Sequence, residues 1–369
     1  MGKYLEILNS KLSHTEKSDY PRRQYQSFMT TFEWRNVEMA DELAKYMKEG
    51  GSLFHFPYFR QIYGLWRVTF KSFFVSRKYD SASSILNSEY GLMAAFIGIF
   101  TTLEYAPKGV ISLFLRPFLN KKNSTPLQNH LAEYFQQYAS DLQTIPFYDH
   151  DYKGAKQKLV RAYKECANKT WGDWFSYQCI SAELSARYWI SKPLSYWFHQ
   201  ESNIVPATTD MIVKFKSKES SGIDKAKQEF ISKIESIKEN AQVSIVKDHV
   251  YAKEKKNASY ISIYAELRAP RYAAFQNTIQ ALEEQDIQVK KIAGNEQVQV
   301  KCLVADSNAM ASQAQQLKEK KVNLLYAYGD DIHPNYRMCL FDIPVKYLQE
   351  VTNNLNRCEG VEVKFIHNF

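Results

Sequence analysis

Cysteine is scarce in this sequence. Cys166, Cys179, Cys302, Cys339 and Cys358 are the only five in 369 residues, and no two form a CxxC pair. So sparse a set excludes a disulfide framework and a zinc-spaced ligand set. A Walker loop, GxGxxG, GxSxG and HExxH are also missing. The common phosphate-cradling, dinucleotide, serine-hydrolase and metalloprotease signatures are thereby removed, and no cofactor is implied.

No apolar run approaches the roughly 20 residues that a bilayer-spanning helix needs. The first residues, MGKYLEILNSKLSHTEK, contain no apolar signal-peptide core, and Glu6 spoils the myristoylation pattern that Gly2 would otherwise open. The expectation is a reducing, cytoplasmic compartment, with peripheral or monotopic membrane attachment as the alternative to free solution.

Tryptophan is absent after position 197, although six occur before it: Trp34, Trp66, Trp171, Trp174, Trp189 and Trp197. Charge is uneven as well. Residues 1–205 carry 25 basic against 19 acidic side chains, and residues 51–122 carry nine against three. Two halves of such different composition point to an aromatic-rich basic helical domain over 1–205, followed by a different kind of domain. A basic, aromatic segment suits an anionic partner.

The spacing predicts a helix over 26–48, ended by Gly50-Gly51. The segment from Phe59 to Lys78 is the most informative in the chain. On a helical wheel Arg60, Arg67, Lys71 and Lys78 form one stripe, and Phe59, Ile62, Leu65, Trp66, Phe70 and Phe73 fall on the opposite side. That composition fits a helix lying in a membrane interface, with Trp66, Phe70 and Phe73 buried and the four cations at the headgroups. It equally fits an aromatic face packed into a core. Aromatics opposite the cations, rather than interleaved with them, point away from nucleic acid.

Leu92–Leu103 is an uncharged run of twelve, and Val110–Leu115 is a second, shorter one. Between them, Glu104 to Gly109 with Pro107 reads as a polar break. The expectation over 88–118 is a helical hairpin, either buried in a soluble core or entering lipid at shallow depth, with Glu104 at its turn. Amphipathic helices follow over 126–142 and 152–169, and an aromatic helical stretch over 173–198.

Two polar clusters could carry chemistry. Asp149, His150 and Asp151 place two carboxylates around an imidazole, suitable as metal ligands or for acid–base work on an apolar or lipid-like substrate. The same residues follow Pro146 and precede a helix, where Asp is an ordinary N-cap. The segment from Asp330 to Asn335 falls between two predicted strands and reads as a turn.

After Pro206 the periodicity changes. Strands at 211–215, 243–246, 260–267 and 287–292 enclose helices at 223–240 and 270–284, which gives β-α-β-β-α-β. The order repeats with strands at 298–304, 322–328, 336–343 and 361–366 and helices at 307–320 and 345–357. The fold class is therefore multidomain, α and α+β: a helical bundle followed by tandem ferredoxin-like units over 209–292 and 297–369. The stretch from Val298 to Ile366 resembles an ACT-type regulatory module in its order of apolar strands and helices. The resemblance implies side-by-side pairing with a protein partner or a second copy. It also implies a small effector at the turn after the first strand, here Asp306, Ser307 and Asn308, without the Pro-Gly that the family places after the Asp.

Together these readings predict an intracellular regulatory or interaction protein whose basic aromatic half docks on anionic lipid.

Overall fold

A computed structural model describes residues 31–122, 125–198, 208–218, 222–254, 260–271, 273–305, 314–329 and 335–367. Contacts divide these into a helical unit before residue 205 and a sheet-bearing unit after 206.

The helical unit contains α1 (Thr31–Lys48), α2 (Tyr58–Ser76), the short α3 (Ala82–Leu86), α4 (Glu89–Leu115), α5 (Pro126–Asp141), α6 (Tyr152–Glu165) and α7 (Trp171–Phe198). Side-chain caps start several of them. Ser88 Oγ accepts from Gly91 N ahead of α4, Thr125 accepts from Gln128 N ahead of α5, and Asp151 accepts from Gly154 N ahead of α6. Each occupies a backbone N–H that the first helical turn leaves unpaired. α1 packs on α5 and α2, α2 on α4, and α6 on α7. The inner faces carry Phe32, Met39, Leu43, Leu65, Leu131, Phe135 and Leu184, all buried.

Two expectations are corrected here. The apolar runs on either side of Pro107 are one continuous helix, α4, and not a hairpin. A proline inside a helix removes one ladder hydrogen bond without ending the helix when packing holds both sides, and α4 is held by α2 and α1. Lys78 lies beyond the end of α2, whose last helical residue is Ser76.

The second unit holds two four-stranded antiparallel sheets. β1 (Thr208–Lys218), α8 (Ile223–Ala241), β2 (Ser244–Glu254), β3 (Tyr260–Pro270), α9 (Ala273–Glu284) and β4 (Gln288–Ile292) build the first, in the order β2-β3-β1-β4. β5 (Gln297–Ala305), α10 (Ala314–Glu319), β6 (Asn323–Gly329), β7 (Tyr336–Pro344), α11 (Leu348–Asn356) and β8 (Val361–Ile366) build the second, in the order β6-β7-β5-β8. The central pairs run in unbroken register from Thr208↔Pro270 to Lys218↔Tyr260 and from Gln297↔Pro344 to Ala305↔Tyr336. β2 extends to Glu254, into a stretch that its charge marks as a connection.

Alternate residues of each central strand point to one core, as the period of two requires. Met211, Val213 and Phe215 of β1 meet Phe230 and Ile234 of α8, and Val300 and Cys302 of β5 lie in the same apolar cluster with Leu348 and Val351. The halves are also tied by hydrogen bonds from Asn353 Nδ2 to Glu283 Oε1 (2.7 Å) and from Gln349 Nε2 to the Ile287 carbonyl (3.0 Å). All five cysteines are free thiols.

Candidate functional site

α4 turns most of its apolar side chains outward. Among its described side chains the exposed ones are Leu92, Ala95, Phe96, Ile99, Leu103, Pro107, Val110, Ile111, Leu113 and Phe114, every one apolar. Its buried residues are mostly small or polar, namely Gly91, Ala94, Gly98, Thr101, Lys108, Gly109 and Ser112, with Ile97 and Tyr105 the larger buried side chains. Leu103 and Phe114 are 69% and 71% exposed.

α2 lies beside it with a mixed inner face. Gln61, Thr69, Ser72 and Ser76 are buried together with Tyr58, Leu65, Val68 and Val75, whereas Phe59, Tyr63, Phe70 and Phe74 are exposed. The two helices run antiparallel. Phe59 covers Gly109 at one end, and the Trp66 ring covers Gly98 while its Nε1–H donates to Thr102 Oγ1 at 2.9 Å. Their outer faces therefore join into one apolar surface.

The basic stripe sits at its edge. Arg60, Arg67 and Lys78 are exposed and Lys71 is half-buried. Among the predicted apolar residues, Phe70 is exposed, Trp66 and Phe73 are half-buried, and Leu65 is buried. The expected apolar side is thus divided: Phe59 and Phe70, about a quarter turn from the cations, lie outside with Tyr63 and Phe74, whereas Leu65 faces inward. The core side is the third face, rich in hydroxyl and amide groups. Wheel spacing identified the stripes but could not say which of three sectors faces inward.

Beneath this surface lies a polar centre that sequence spacing missed. Glu104 and Lys108 of α4 meet Glu183 and Arg187 of α7. Arg187 donates from Nε to Glu104 Oε2 (3.0 Å) and from Nη2 to Glu104 Oε1 (2.7 Å). Lys108 Nζ lies 3.1 Å from Glu104 Oε1 and 2.6 Å from Glu183 Oε2, and Arg187 Nη2 lies 3.0 Å from Glu183 Oε1. Glu104 is thus not at a turn. Its side chain is 9% exposed. Burial alone would raise its pKa, but Arg187 and Lys108 outweigh that and hold it at about 2. Burial and the neighbouring Glu104 carboxylate raise Glu183.

Tyrosines enclose the centre. Tyr58 and Tyr105 meet edge to face, with Lys108 over the Tyr105 ring at 4.9 Å. Arg187 lies over the Tyr138 ring at 4.6 Å. Tyr138 also stacks on Tyr134, meets His150 at 4.9 Å, and has its hydroxyl 3.3 Å from that of Tyr152.

The predicted Asp149–His150–Asp151 cluster is not one centre. Asp149 accepts from Ser195 Oγ at 3.2 Å, and Asp151 caps α6. His150 alone joins the tyrosines, with Nδ1 2.9 Å from Asp141 Oδ2. Burial lowers the His150 pKa, with Asp141 pulling the other way. Tyr134 Oη, both ring nitrogens of His150 and Arg187 Nη1 are buried without a hydrogen-bond partner, the Asp141 carboxylate being close to Nδ1 but not aligned with it. Each such atom costs about 1–3 kcal/mol when left unpaired. The i,i+4 pairs Glu104/Lys108 and Glu183/Arg187 were visible as spacing, but such pairs usually lie on solvated helix faces.

Asp306, Ser307 and Asn308 lie outside the described residues, as does His333. Among the described residues no helix is long and apolar enough to cross a membrane, and no group of three or more His, Cys, Asp or Glu side chains is placed to hold a metal ion.

No family model and no curated protein matches this chain. One solved structure, a crystal structure of an unknown protein from Galdieria sulphuraria, is similar over 44% of this chain and 99% of that one, at 14% identity and a TM-score of 0.16. At that score nothing about fold or activity follows from the likeness.

Proposed function

We propose that the helical half is a membrane-surface module whose α2–α4 face beds into the interfacial layer of an anionic bilayer. Arg60, Arg67, Lys71 and Lys78 meet headgroups at its margin, and Trp66, Phe70 and Phe73 supply aromatic contact. The observation that carries this reading is the outward apolar face of α4, whose exposed side chains, among those described, are all apolar. A wide apolar surface edged by cations is costly in water. It matches an interface in which rings and aliphatic chains bury while cations stay level with phosphate.

The sheet half fits the role of a partner-binding or effector-sensing element built from two ferredoxin-like, ACT-type units. The repeated strand orders β2-β3-β1-β4 and β6-β7-β5-β8, each with a helix after its first and third strand, support that reading. Joined, the two halves make a regulatory or interaction protein that docks peripherally at the cytoplasmic membrane face.

Flotation of the full chain with anionic and neutral vesicles, at low and high salt, tests the docking. Binding to anionic vesicles that weakens with salt is expected. Charge reversal at Arg60, Arg67, Lys71 and Lys78 should abolish it. A wild-type chain that stays with the soluble fraction on anionic vesicles at low salt overturns the proposal.

A further inference from the structure

The first sheet has two unlike faces. Met211, Val213 and Phe215 of β1 enter the core, so Lys214, Lys216 and Lys218 point to the opposite side. Register carries that outer face across the sheet, because residues directly opposite on paired strands share a face. Tyr264, Ser262 and Tyr260 of β3 stand opposite Lys214, Lys216 and Lys218. Tyr251 of β2 stands opposite Tyr264, and Gln288 of β4 opposite Lys214. One row across all four strands therefore reads Tyr251, Tyr264, Lys214, Gln288. Lysine and tyrosine meet directly on it: Lys214 Nζ lies 5.5 Å from the Tyr264 ring centre, and Lys216 Nζ lies 4.8 Å from that of Tyr260. Tyr251 and Tyr264 are seated on the buried Ile212.

Charge is sorted along the strands. At one end of this face Asp210 pairs with Arg268 at 3.2 Å and Glu266 pairs with His249. At the other end the lysines of β1 are joined by Lys290, whose Nζ donates to Gln288 Oε1 at 2.5 Å. Lys346 borders them, its carbonyl accepting from Gln288 Nε2 at 3.3 Å. Burial brings the Lys290 pKa down to about 8, helped by the neighbouring Lys214, Lys216 and Lys346 ammonium groups. Like charges held this close repel, and a bound anion relieves them.

We infer that this face binds single-stranded nucleic acid, with the lysines on its phosphates and Tyr251, Tyr260 and Tyr264 beneath its bases.

The interleaving of rings and cations favours that ligand. A strand-built platform of aromatic rings gives unpaired bases a stacking surface, and cations among the rings follow the backbone. On binding, each lysine leaves its ring for a phosphate and a base takes its place. A bilayer would find little here to bury, since the tyrosines are half-buried and lysines lie over two of them. α2, by contrast, leaves Phe70 and Phe74 open. The inference does not rest on the membrane docking of the helical half.

Fluorescence anisotropy of the full chain with labelled oligo-uridylate and oligo-deoxythymidylate tests it. A duplex and an abasic deoxyribose-phosphate strand of equal length are the controls. Saturable, salt-sensitive binding of at least one single strand is expected, with about tenfold weaker binding of both controls. Lys216→Gln/Lys290→Gln should weaken binding and flatten the log–log salt dependence by roughly 0.7 per lysine removed. Tyr260→Leu should weaken binding about tenfold without changing that slope. These variants should float with anionic vesicles as wild type does, and charge reversal at Arg60, Arg67, Lys71 and Lys78 should leave oligonucleotide binding intact. The inference is overturned if no single strand binds at low salt. Equal binding of the abasic strand overturns it too, leaving a plain polyanion surface. So does loss of vesicle flotation in the folded sheet variants, or oligonucleotide binding that follows the α2 cations instead. If neither sheet variant folds, the abasic strand and the α2 variant decide.

Discussion

Arg187 grips Glu104 through two parallel hydrogen bonds, across 83 residues of sequence and in a side-chain environment nearly closed to solvent. Paired guanidinium and carboxylate groups in this fork geometry are the strongest kind of charged hydrogen bond. Breaking the pair from one side leaves charge buried and unmatched. Arg187→Met is therefore expected to cost about 3–5 kcal/mol in equilibrium denaturation. The double variant Arg187→Met/Glu104→Leu, which leaves Lys108 paired with Glu183, should lose less than the sum of the two single changes. A simple sum would mean that the two side chains do not act as a pair.

The outer face of α4 can be changed without touching the core. Ile99→Asp/Leu103→Asp alters two exposed positions, so the unfolding free energy should move by no more than about 0.5 kcal/mol per site. Vesicle binding should fall at least tenfold, because each lost apolar side chain is worth roughly 1.5–3 kcal/mol in a buried setting. Co-sedimentation with anionic vesicles reads the second effect and chemical denaturation the first.

Gly98 is packed against the indole of Trp66, where an added Cβ would sit 3.0 Å from the ring. Gly98→Leu must push Trp66 away and break its hydrogen bond to Thr102. A loss of about 1–3 kcal/mol is expected, as for other overpacked sites. Tryptophan emission should change with it. An unchanged emission spectrum and melting midpoint would show that α2 and α4 do not pack through this pair.

Two groups in the second sheet give opposing pH dependence. Burial pushes Asp342 up to about 6 from 3.8, and burial, helped by Lys301, pushes His367 down to about 3 from 6.5. Between about pH 3.8 and 6 the folded chain holds more protons at Asp342 than the unfolded chain, so that contribution rises as pH falls. Between about 3 and 6.5 the unfolded chain holds more protons at His367, so that contribution is lost as pH falls. The slopes are each roughly 1.4 kcal/mol per pH unit and cancel where they overlap. Asp342→Asn should expose the histidine slope, with stability falling from pH 6 to pH 4 more steeply than in wild type. Urea titrations at fixed pH measure both.

The sheet half was legible because its signals are local. Alternating apolar residues such as Val298, Val300, Cys302 and Val304, followed by a periodic helix, announce strand and helix without reference to anything distant. The helical half was legible in its elements but not in its orientation. Apolar periodicity names an inner face only if that face is the apolar one. In α2 and α4 the inner positions mix Leu65, Val68 and Ile97 with Gln61, Ser72, Gly98 and Lys108, while large apolar side chains such as Phe70, Leu103 and Phe114 lie outside, so the rule gives no single inner face. Pro107 read as a stop because local propensity opposes it, and packing against α1 and α2 overrides that preference. The meeting of Glu104 with Arg187 carries no local mark beyond two ordinary i,i+4 pairs. Likewise, nothing in Asp149-His150-Asp151 says that only the middle residue turns toward the tyrosines.

On one inner side of α4, Trp66 over Gly98 and Phe59 over Gly109 set its height against α2. Those contacts leave its height against α7 open. The four charges between α4 and α7 remove that freedom. Sliding by a single helical turn, about 5.4 Å, would carry Glu104 and Lys108 away from Arg187 and Glu183 and leave four unmatched ions in a dry interior. The ionic centre thus acts as an indexing pin, allowing one register of α4 against α7.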